Sequence, residues 1–93
     1  MLNAVPRYMM TLYVAGASRR PLRAGDDVRE FCDAELKNNY DLEVVDLYRS
    51  PDQAKIAQTI AAPALLRHKP RPVGRVIGDM SDRIRLRAAI KVA

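Results

Sequence analysis

The feature that most constrains this chain is a proline-rich apolar stretch between residues 60 and 80. Two short apolar segments, residues 64–68 and 73–77, are separated by Lys-Pro-Arg-Pro at residues 69–72. Two such segments joined by a short turn sequence are typical of a β-hairpin. Prolines are tolerated in the turn because their missing N–H would only weaken a strand. The stretch therefore predicts two adjacent antiparallel strands, the first beginning just after Pro63.

The first half of the chain predicts a strand, a helix and a second strand, at residues 8–15, 18–39 and 42–48. The first segment is rich in strand-forming side chains and is closed by Gly16. In the second segment, five residues follow the three- and four-residue spacing of an amphipathic helix: Val28, Phe31, Cys32, Glu35 and Leu36. A strand, a helix and a strand within about forty residues predict a right-handed parallel crossover.

A second helix is predicted from the sharpest local signal in the chain. Ser50 suits the N-cap, Pro51 suits the first helical position, and Gln53 completes a capping box with Ser50. We expect this helix to continue to about Ile60, because Pro63 restricts the backbone of the residue before it and interrupts the helix.

The last segment carries two conflicting signals. Ser81 is suited to an N-cap and Asp82 to the start of a helix, and the residues that follow are good helix formers. Yet apolar side chains alternate strictly along residues 84–92, which is the period of a strand: Ile84, Leu86, Ala88, Ile90 and Val92. Propensity favours a helix and period favours a strand, so both stay open on the residues alone.

Composition limits the classes of protein and partner. With 93 residues, 48% hydrophobic and 29% charged, the chain fits one small globular domain over residues 1–93. Its 16 basic residues are mostly arginines, whose planar guanidinium suits carboxylates as well as phosphates. Nucleic-acid binding is the weaker interpretation, because no recognised nucleic-acid motif is present. No apolar run approaches the ~20 residues that span a bilayer, so no membrane partner is expected.

The single cysteine and the single histidine do not indicate a disulfide, a catalytic site or a metal site. Cys32 cannot form an internal disulfide, which favours a reducing compartment, and residues 1–6 do not look like a signal peptide, so we expect a cytoplasmic protein. Cys32 lies on the apolar helix face with no base indicated nearby, so we interpret it as a buried thiol. His68 has no clustered cysteine or acid, so we predict no metal, no cofactor and no catalytic residue.

Four short motifs occur at spacings typical of one family: Leu-Tyr-Val-Ala-Gly at residues 12–16, Val-Val-Asp-Leu at 44–47, Ala-Pro-Ala-Leu at 62–65, and Val-Ile-Gly-Asp-Met-Ser at 76–81. On these motifs the chain resembles the KaiB family over residues 11–87, with no gap. The resemblance implies a thioredoxin-like α/β fold of order βαβαββα, here without a Cys-x-x-Cys pair. It also implies an alternative, the KaiB ground-state tetramer, in which the C-terminal segment is a strand.

The resemblance also bears on the ambiguous last segment. Relatives that rest as the tetramer tend to carry Gly and Asp where this chain has Ala89 and Lys91. Alanine favours a helix over glycine, and a lysine near a helix C-terminus is favourable where an aspartate is not. We therefore expect the thioredoxin-like state, with a helix over residues 82–91, and a monomer.

In function, the resemblance implies a non-enzymatic binding protein. KaiB proteins dock on the N-terminal ATPase ring of KaiC, and the bound form recruits KaiA or engages a sensor kinase with a KaiB-like domain. Two other hypotheses stay open. A thioredoxin-fold redox or transferase enzyme would need a reactive thiol or a substrate pocket near residues 16–20, where the chain has no cysteine. The chain could also be a KaiB paralogue in stress signalling outside a clock.

Four residues match positions that are basic in the family and face KaiC: Arg23, Arg67, Lys69 and Arg75. Arginine forks suit carboxylates on a partner, and the alternative is an ordinary solvated basic surface. Part of the family's basic surface is replaced, because Glu43 and Gln58 stand where relatives often carry lysine.

Two further positions follow from the same fold analogy. Pro63 matches the cis-proline of thioredoxin-like folds, so the resemblance implies a cis peptide bond between Ala62 and Pro63. The strand at residues 42–48 could offer an open edge to a partner strand, with Asp46 as the candidate contact. Asp46 fits an ordinary solvated acid equally well.

Overall fold

The computed structural model of the chain describes residues 7–16, 18–49, 52 and 63–90. This part of the chain forms four strands and two helices, which are β1 (Tyr8–Val14), α1 (Arg19–Glu35), β2 (Tyr40–Asp46), β3 (Ala64–Lys69), β4 (Gly74–Ile77) and α2 (Arg83–Ile90). The predicted capping box at Ser50 and Gln53, and the helix expected to continue to Ile60, lie outside the described residues.

The four strands form one mixed sheet in the order β2-β1-β3-β4. β1 and β2 pair in parallel, from Tyr8 opposite Tyr40 to Val14 opposite Asp46. β3 is antiparallel to both β1 and β4, so the predicted hairpin is confirmed. The predicted parallel pairing of the first two strands through a helix is also confirmed. Within the described residues, β2 and β4 are the two edges of the sheet.

β1 is the central support of the core. Its alternate side chains, Tyr8, Met10, Leu12 and Val14, are all buried on the face of the sheet that the helices cover. They share one hydrophobic cluster with Val28, Phe31 and Cys32 of α1 and with Leu86 and Ile90 of α2. A strand with hydrogen-bonded neighbours on both sides and a buried face loses most of its contact with water, which explains its run of apolar residues.

The first helix is shorter than predicted. It was expected over residues 18–39, but Ser18 has an extended backbone and precedes the helix as its N-cap residue, accepting a hydrogen bond from the Leu22 N–H through its carbonyl. At the other end, Leu36 is the C-cap and Lys37 takes a left-handed conformation, φ 55°. This conformation cannot continue a right-handed helix, so α1 ends at Glu35.

The last segment is a helix, as the family comparison of Ala89 predicted, and the strand alternative is not the state observed. Asp82, rather than the predicted Ser81, caps it: the Asp82 side chain accepts from the Arg85 N–H at 3.2 Å. Ser81 instead donates its hydroxyl to Asp79 at 2.6 Å. Lys91 lies outside the described residues.

The period-2 pattern therefore divides between two faces of α2. Leu86 and Ile90 are buried, whereas Ile84 is 77% exposed and Ala88 is also exposed. Neither described helix has the length and apolar character needed to cross a bilayer.

We expect Leu12→Ala to destabilise the domain by about 2–5 kcal/mol, because Leu12 is fully buried between β1's neighbours and α1 and its loss leaves a cavity. Leu22→Ala is the matched control, since Leu22 is 61% exposed and should change stability by less than about 0.5 kcal/mol. Urea unfolding followed by circular dichroism measures both. Similar midpoints for the two variants would contradict this account of the core.

Candidate functional site

Three of the four predicted basic residues are exposed, but the structure does not gather them into one cluster. Lys69 ends β3, and Arg75 lies on β4 opposite Leu66 of β3. Arg23 lies on α1 and lines a cleft that also contains Pro63, just before β3 begins. Lys69 stands at the far end of β3, and five residue steps along a strand separate it from that cleft by roughly 17 Å.

Arg67 is not on the surface, which corrects the expectation that it faces a partner. It is 6% exposed, and its position opposite Met10 turns it toward the buried face of the sheet. Its guanidinium donates to four backbone carbonyls: Pro70 (3.0 Å), Pro72 (2.5 Å), Ala89 (2.8 Å) and Ile90 (2.9 Å). In this conformation its donors serve the fold and are not available to a partner.

The cleft has a volume of about 790 Å³ and lies where the carboxyl ends of β1 and β4 meet the N-terminal ends of α1 and α2. Side chains of both charges line the cleft: Arg20, Arg23, Asp27 and Asp79. No cysteine lines it within the described part of the chain. The thiol that a redox enzyme of this fold would need near residues 16–20 is therefore absent from the cleft lining.

Asp79 is held as a charged acceptor at the edge of the cleft. Hydrogen bonds from the Ser81 hydroxyl (2.6 Å) and the Ser81 N–H (2.8 Å) lower the pKa of its carboxyl, and the charges of Arg85 and Arg23 lower it further. Arg85 also donates to the Ile77 carbonyl at 2.8 Å. These contacts fix the turn between β4 and α2 and leave Arg23 as an exposed cation beside it.

Asp46 is an internal anchor. One of its carboxylate oxygens accepts from the Gly16 N–H and from the Tyr48 N–H, each at 3.0 Å, and the other lies 3.7 Å from Arg49. Gly16 has a positive φ of 91°, and a side chain there would meet the Tyr48 ring at about 3.2 Å. Asp46 thus ties the loop after β1 to the turn after β2, and its side chain is only 18% exposed.

The outer edge of β2 has no paired strand within the described residues. Asp41 and Glu43 on this strand are exposed, and Val44 is 37% exposed. An open edge can accept a strand from a partner, and the acidic side chains here favour a partner with basic ones. The edge therefore remains a candidate surface even though Asp46 itself is engaged.

Cys32 is fully buried, and burial, with a contribution from the charge of Asp33, raises the pKa of its thiol to about 12. The neighbouring Tyr40 hydroxyl donates to Asp33 at 2.5 Å, and this hydrogen bond raises the pKa of Tyr40 to about 12. His68 is exposed, and its Nε2 lies 2.9 Å from the Thr11 hydroxyl. Across the ranges that the structure describes, no cluster of His, Cys, Asp and Glu is placed to hold a metal.

The peptide bond before Pro63 includes Ala62, which lies outside the described residues, so the cis-proline stays a prediction. Among the described residues, the Lys69–Pro70 and Arg71–Pro72 bonds are cis, and both lie in the turn between β3 and β4. Gln58 also lies outside the described residues.

The fold and the cleft define a thioredoxin-like α/β domain in which the cleft carries no redox thiol. Solved structures support the fold. The N-terminal domain of SasA from Synechococcus elongatus superposes with a TM-score of 0.68, covering 95% of this chain and 84% of that chain at 19% identity. Mitochondrial thioredoxin 3 from Saccharomyces cerevisiae gives a TM-score of 0.64, covering 90% and 76% at 19% identity.

Sequence comparison identifies the family. A family model described as the KaiB domain matches residues 11–92. A protein named circadian clock oscillator protein KaiB from Prochlorococcus marinus strain NATL2A is 42% identical over 82 residues, which are 88% of this chain and 77% of the relative. The protein of the same name from strain MIT 9312 is 41% identical over 76 residues, 82% of this chain and 72% of the relative. The chain belongs to the KaiB family.

We expect Asp46→Ala to lower stability by about 1–3 kcal/mol, because the Gly16 and Tyr48 N–H groups lose their acceptor. Asp46→Asn should lose less, since it keeps a side-chain oxygen. Asp41→Ala on the same strand is exposed and serves as the control. Chemical unfolding of the three variants tests this, and an Asp46→Ala domain as stable as the parent would show that the anchor is unimportant.

The raised pKa of Cys32 predicts a thiol that does not react while the domain is folded. At pH 8 a pKa of about 12 leaves almost no thiolate, whereas unfolding returns the group toward its ordinary value of 9.0. Iodoacetamide should label Cys32 at least about a hundredfold faster in urea than in buffer, as followed by mass spectrometry, because the two pKa values correspond to a roughly thousandfold difference in thiolate at pH 8. Equal rates under both conditions would indicate an accessible, reactive cysteine and would favour the enzyme hypothesis.

Proposed function

We propose that this chain is a non-enzymatic clock or regulatory protein of the cytoplasm, which docks on the N-terminal ATPase ring of a KaiC-type ATPase and modulates its phosphorylation and output. The observation that carries the proposal is the helical state of α2 in a KaiB-family chain. The relatives named circadian clock oscillator protein KaiB, 42% and 41% identical to this chain, support a role in a clock.

The proposed ring-facing surface is basic. Lys69 and Arg75 project from the β3–β4 hairpin, and Arg23 adds a third exposed cation on α1. Among the described residues, Lys69 and Arg75 form no ion pair, whereas Arg23 lies close enough to Asp79 for its charge to lower the pKa of that carboxyl. Exposed arginine and lysine groups of this kind complement carboxylates on a partner and accelerate its association. Arg67 contributes to this surface only indirectly, because its own donors are occupied.

A second partner would use another face. The open edge of β2, with Asp41 and Glu43 exposed, suits a strand from KaiA or from a sensor kinase with a KaiB-like domain. Binding at the β2 edge and binding through the hairpin are compatible, because two strands, β1 and β3, separate β2 from β4 in the sheet. The free protein is proposed to be a monomer in this state.

Size-exclusion chromatography with light scattering tests the proposal directly. The chain is run alone, then with a KaiC-type ATPase and ATP. A monomer that co-elutes with the ring is the expected result. A free tetramer would show that the resting state differs from the proposed one, and a monomer that binds no KaiC-type ring would refute the proposed function.

Arg75→Glu should weaken binding to the ring by about tenfold or more, because an exposed cation of the docking surface is replaced by an anion that repels the partner's carboxylates. Arg29→Glu makes the same change of charge on an exposed part of α1 and should bind normally. Surface plasmon resonance with immobilised KaiC measures both, and circular dichroism confirms that both variants fold. Equal losses for the two variants would show that only net charge matters, and unchanged affinity for Arg75→Glu would exclude Arg75 from the surface.

A further inference from the structure

The buried guanidinium of Arg67 joins two parts of the chain that are distant in sequence. Its Nε and one Nη donate to the Pro70 and Pro72 carbonyls in the turn of the hairpin. Its other Nη donates to the Ala89 and Ile90 carbonyls at the end of α2. We call this set of four hydrogen bonds the Arg67 clamp. Five fixed N–H donors allow one arginine to serve several acceptors at once, which a lysine ammonium cannot reproduce.

The clamp offsets the cost of burying the charge of Arg67, and it provides hydrogen-bond donors for the last carbonyls of α2. A charge that is 6% exposed is costly to bury unless it is fully hydrogen-bonded. The last carbonyls of a helix lack partners within the helix, and the C-terminal end carries a partial negative charge. The guanidinium meets both needs, so each side of the contact would be left with unsatisfied polar groups if the other were removed.

Gly74 makes room for this contact. A side-chain carbon at Gly74 would overlap the Ala89 carbonyl oxygen and would lie 3.2 Å from the central guanidinium carbon of Arg67. Because Gly74 is opposite Arg67 in the β3–β4 pairing, only a residue without Cβ allows α2 to end directly against the strand. Gly74 is therefore required for the Arg67 clamp, and substituting Gly74 is an independent way to disturb the clamp.

The clamp recognises a helix and not a strand. Two successive carbonyls, those of Ala89 and Ile90, converge on a single nitrogen of Arg67. Successive carbonyls point the same way along a helix but to opposite sides of an extended strand, so one nitrogen could not serve both in a strand. This discrimination applies to a segment whose apolar residues alternate with the period of a strand and whose Ile84 is 77% exposed in the helix.

We propose that Arg67 is a positioning residue for partner docking: it selects the helical form of residues 83–90 and fixes the hairpin that presents Lys69 and Arg75. The docking part of this inference rests on the proposed function, whereas the effect of Arg67 on the helix does not. Arg67 acts on the partner without touching it, through the turn and α2.

Hydrogen exchange tests the effect on the helix. In Arg67→Lys the amides of α2 should exchange at least about tenfold faster, because a lysine cannot hold both segments, while the amides of α1 stay protected. Arg67→Met should show a larger effect, and Gly74→Ala should reproduce it with Arg67 still present. Arg71→Lys and Arg71→Met, at an exposed position in the same hairpin, are the matched controls and should exchange like the parent.

The inference is overturned if α2 keeps its protection in Arg67→Lys and Gly74→Ala, or if α1 and α2 lose protection equally, which would indicate general destabilisation. Should Arg67→Met fail to fold, the two milder variants decide. Ring binding is then measured on the same proteins. Weaker binding by Arg67→Lys than by Arg71→Lys supports the positioning role, and equal binding refutes it. If the parent itself binds no ring, the proposed function fails, but the exchange result still decides whether Arg67 selects the helix.

Discussion

The structure depends on burying β1 between two strands and beneath the helices. The alternate side chains of β1, which include Leu12 and Val14, form one side of the hydrophobic core. The backbone of β1 forms hydrogen bonds with β2 on one side and with β3 on the other. Once β1 is fixed, the parallel pairing aligns the ends of β1 and β2, and Asp46 reaches back to Gly16. The location of the cleft, the open edge of β2 and the orientation of the hairpin all follow from this arrangement.

The arginines of this chain do different kinds of work, although their side chains are chemically the same. Arg67 donates hydrogen bonds to backbone carbonyls inside the domain. Arg85 donates one to the Ile77 carbonyl, next to the turn that precedes α2. Arg87 pairs with Glu35 at 3.1 Å and links the two helices at the surface. Exposed Arg75, by contrast, has carboxylate-binding capacity to offer. A count of basic residues therefore overstates the charge that a partner can meet.

Periodicity predicted α1 because its apolar residues mark the buried face of the helix, whereas the strands were predicted from strand-forming or apolar segments bounded by turn residues. It was ambiguous for residues 84–92 because Ile84 is exposed in the helix, so the apolar pattern there does not describe the observed core. The misplacement of Arg67 could have been avoided: two positions after the buried Leu65 on the same strand, it shares the buried face. Nothing in the sequence indicated its acceptors, since the Pro70 and Ala89 carbonyls are brought together only by the folded chain.

These observations explain why α2 exists as a helix at all. It is eight residues long and buries only two large side chains, Leu86 and Ile90. Burial of its apolar face therefore contributes little of the stabilisation that a helix this short requires from the rest of the fold. Its ends supply the rest: the Asp82 side chain caps the first turn, and Arg67 binds the last carbonyls. A helix held mainly at its ends is sensitive to single residues far from it in sequence. In this chain, the state of the C-terminal segment is therefore decided on β3, at Arg67, as much as within the segment itself.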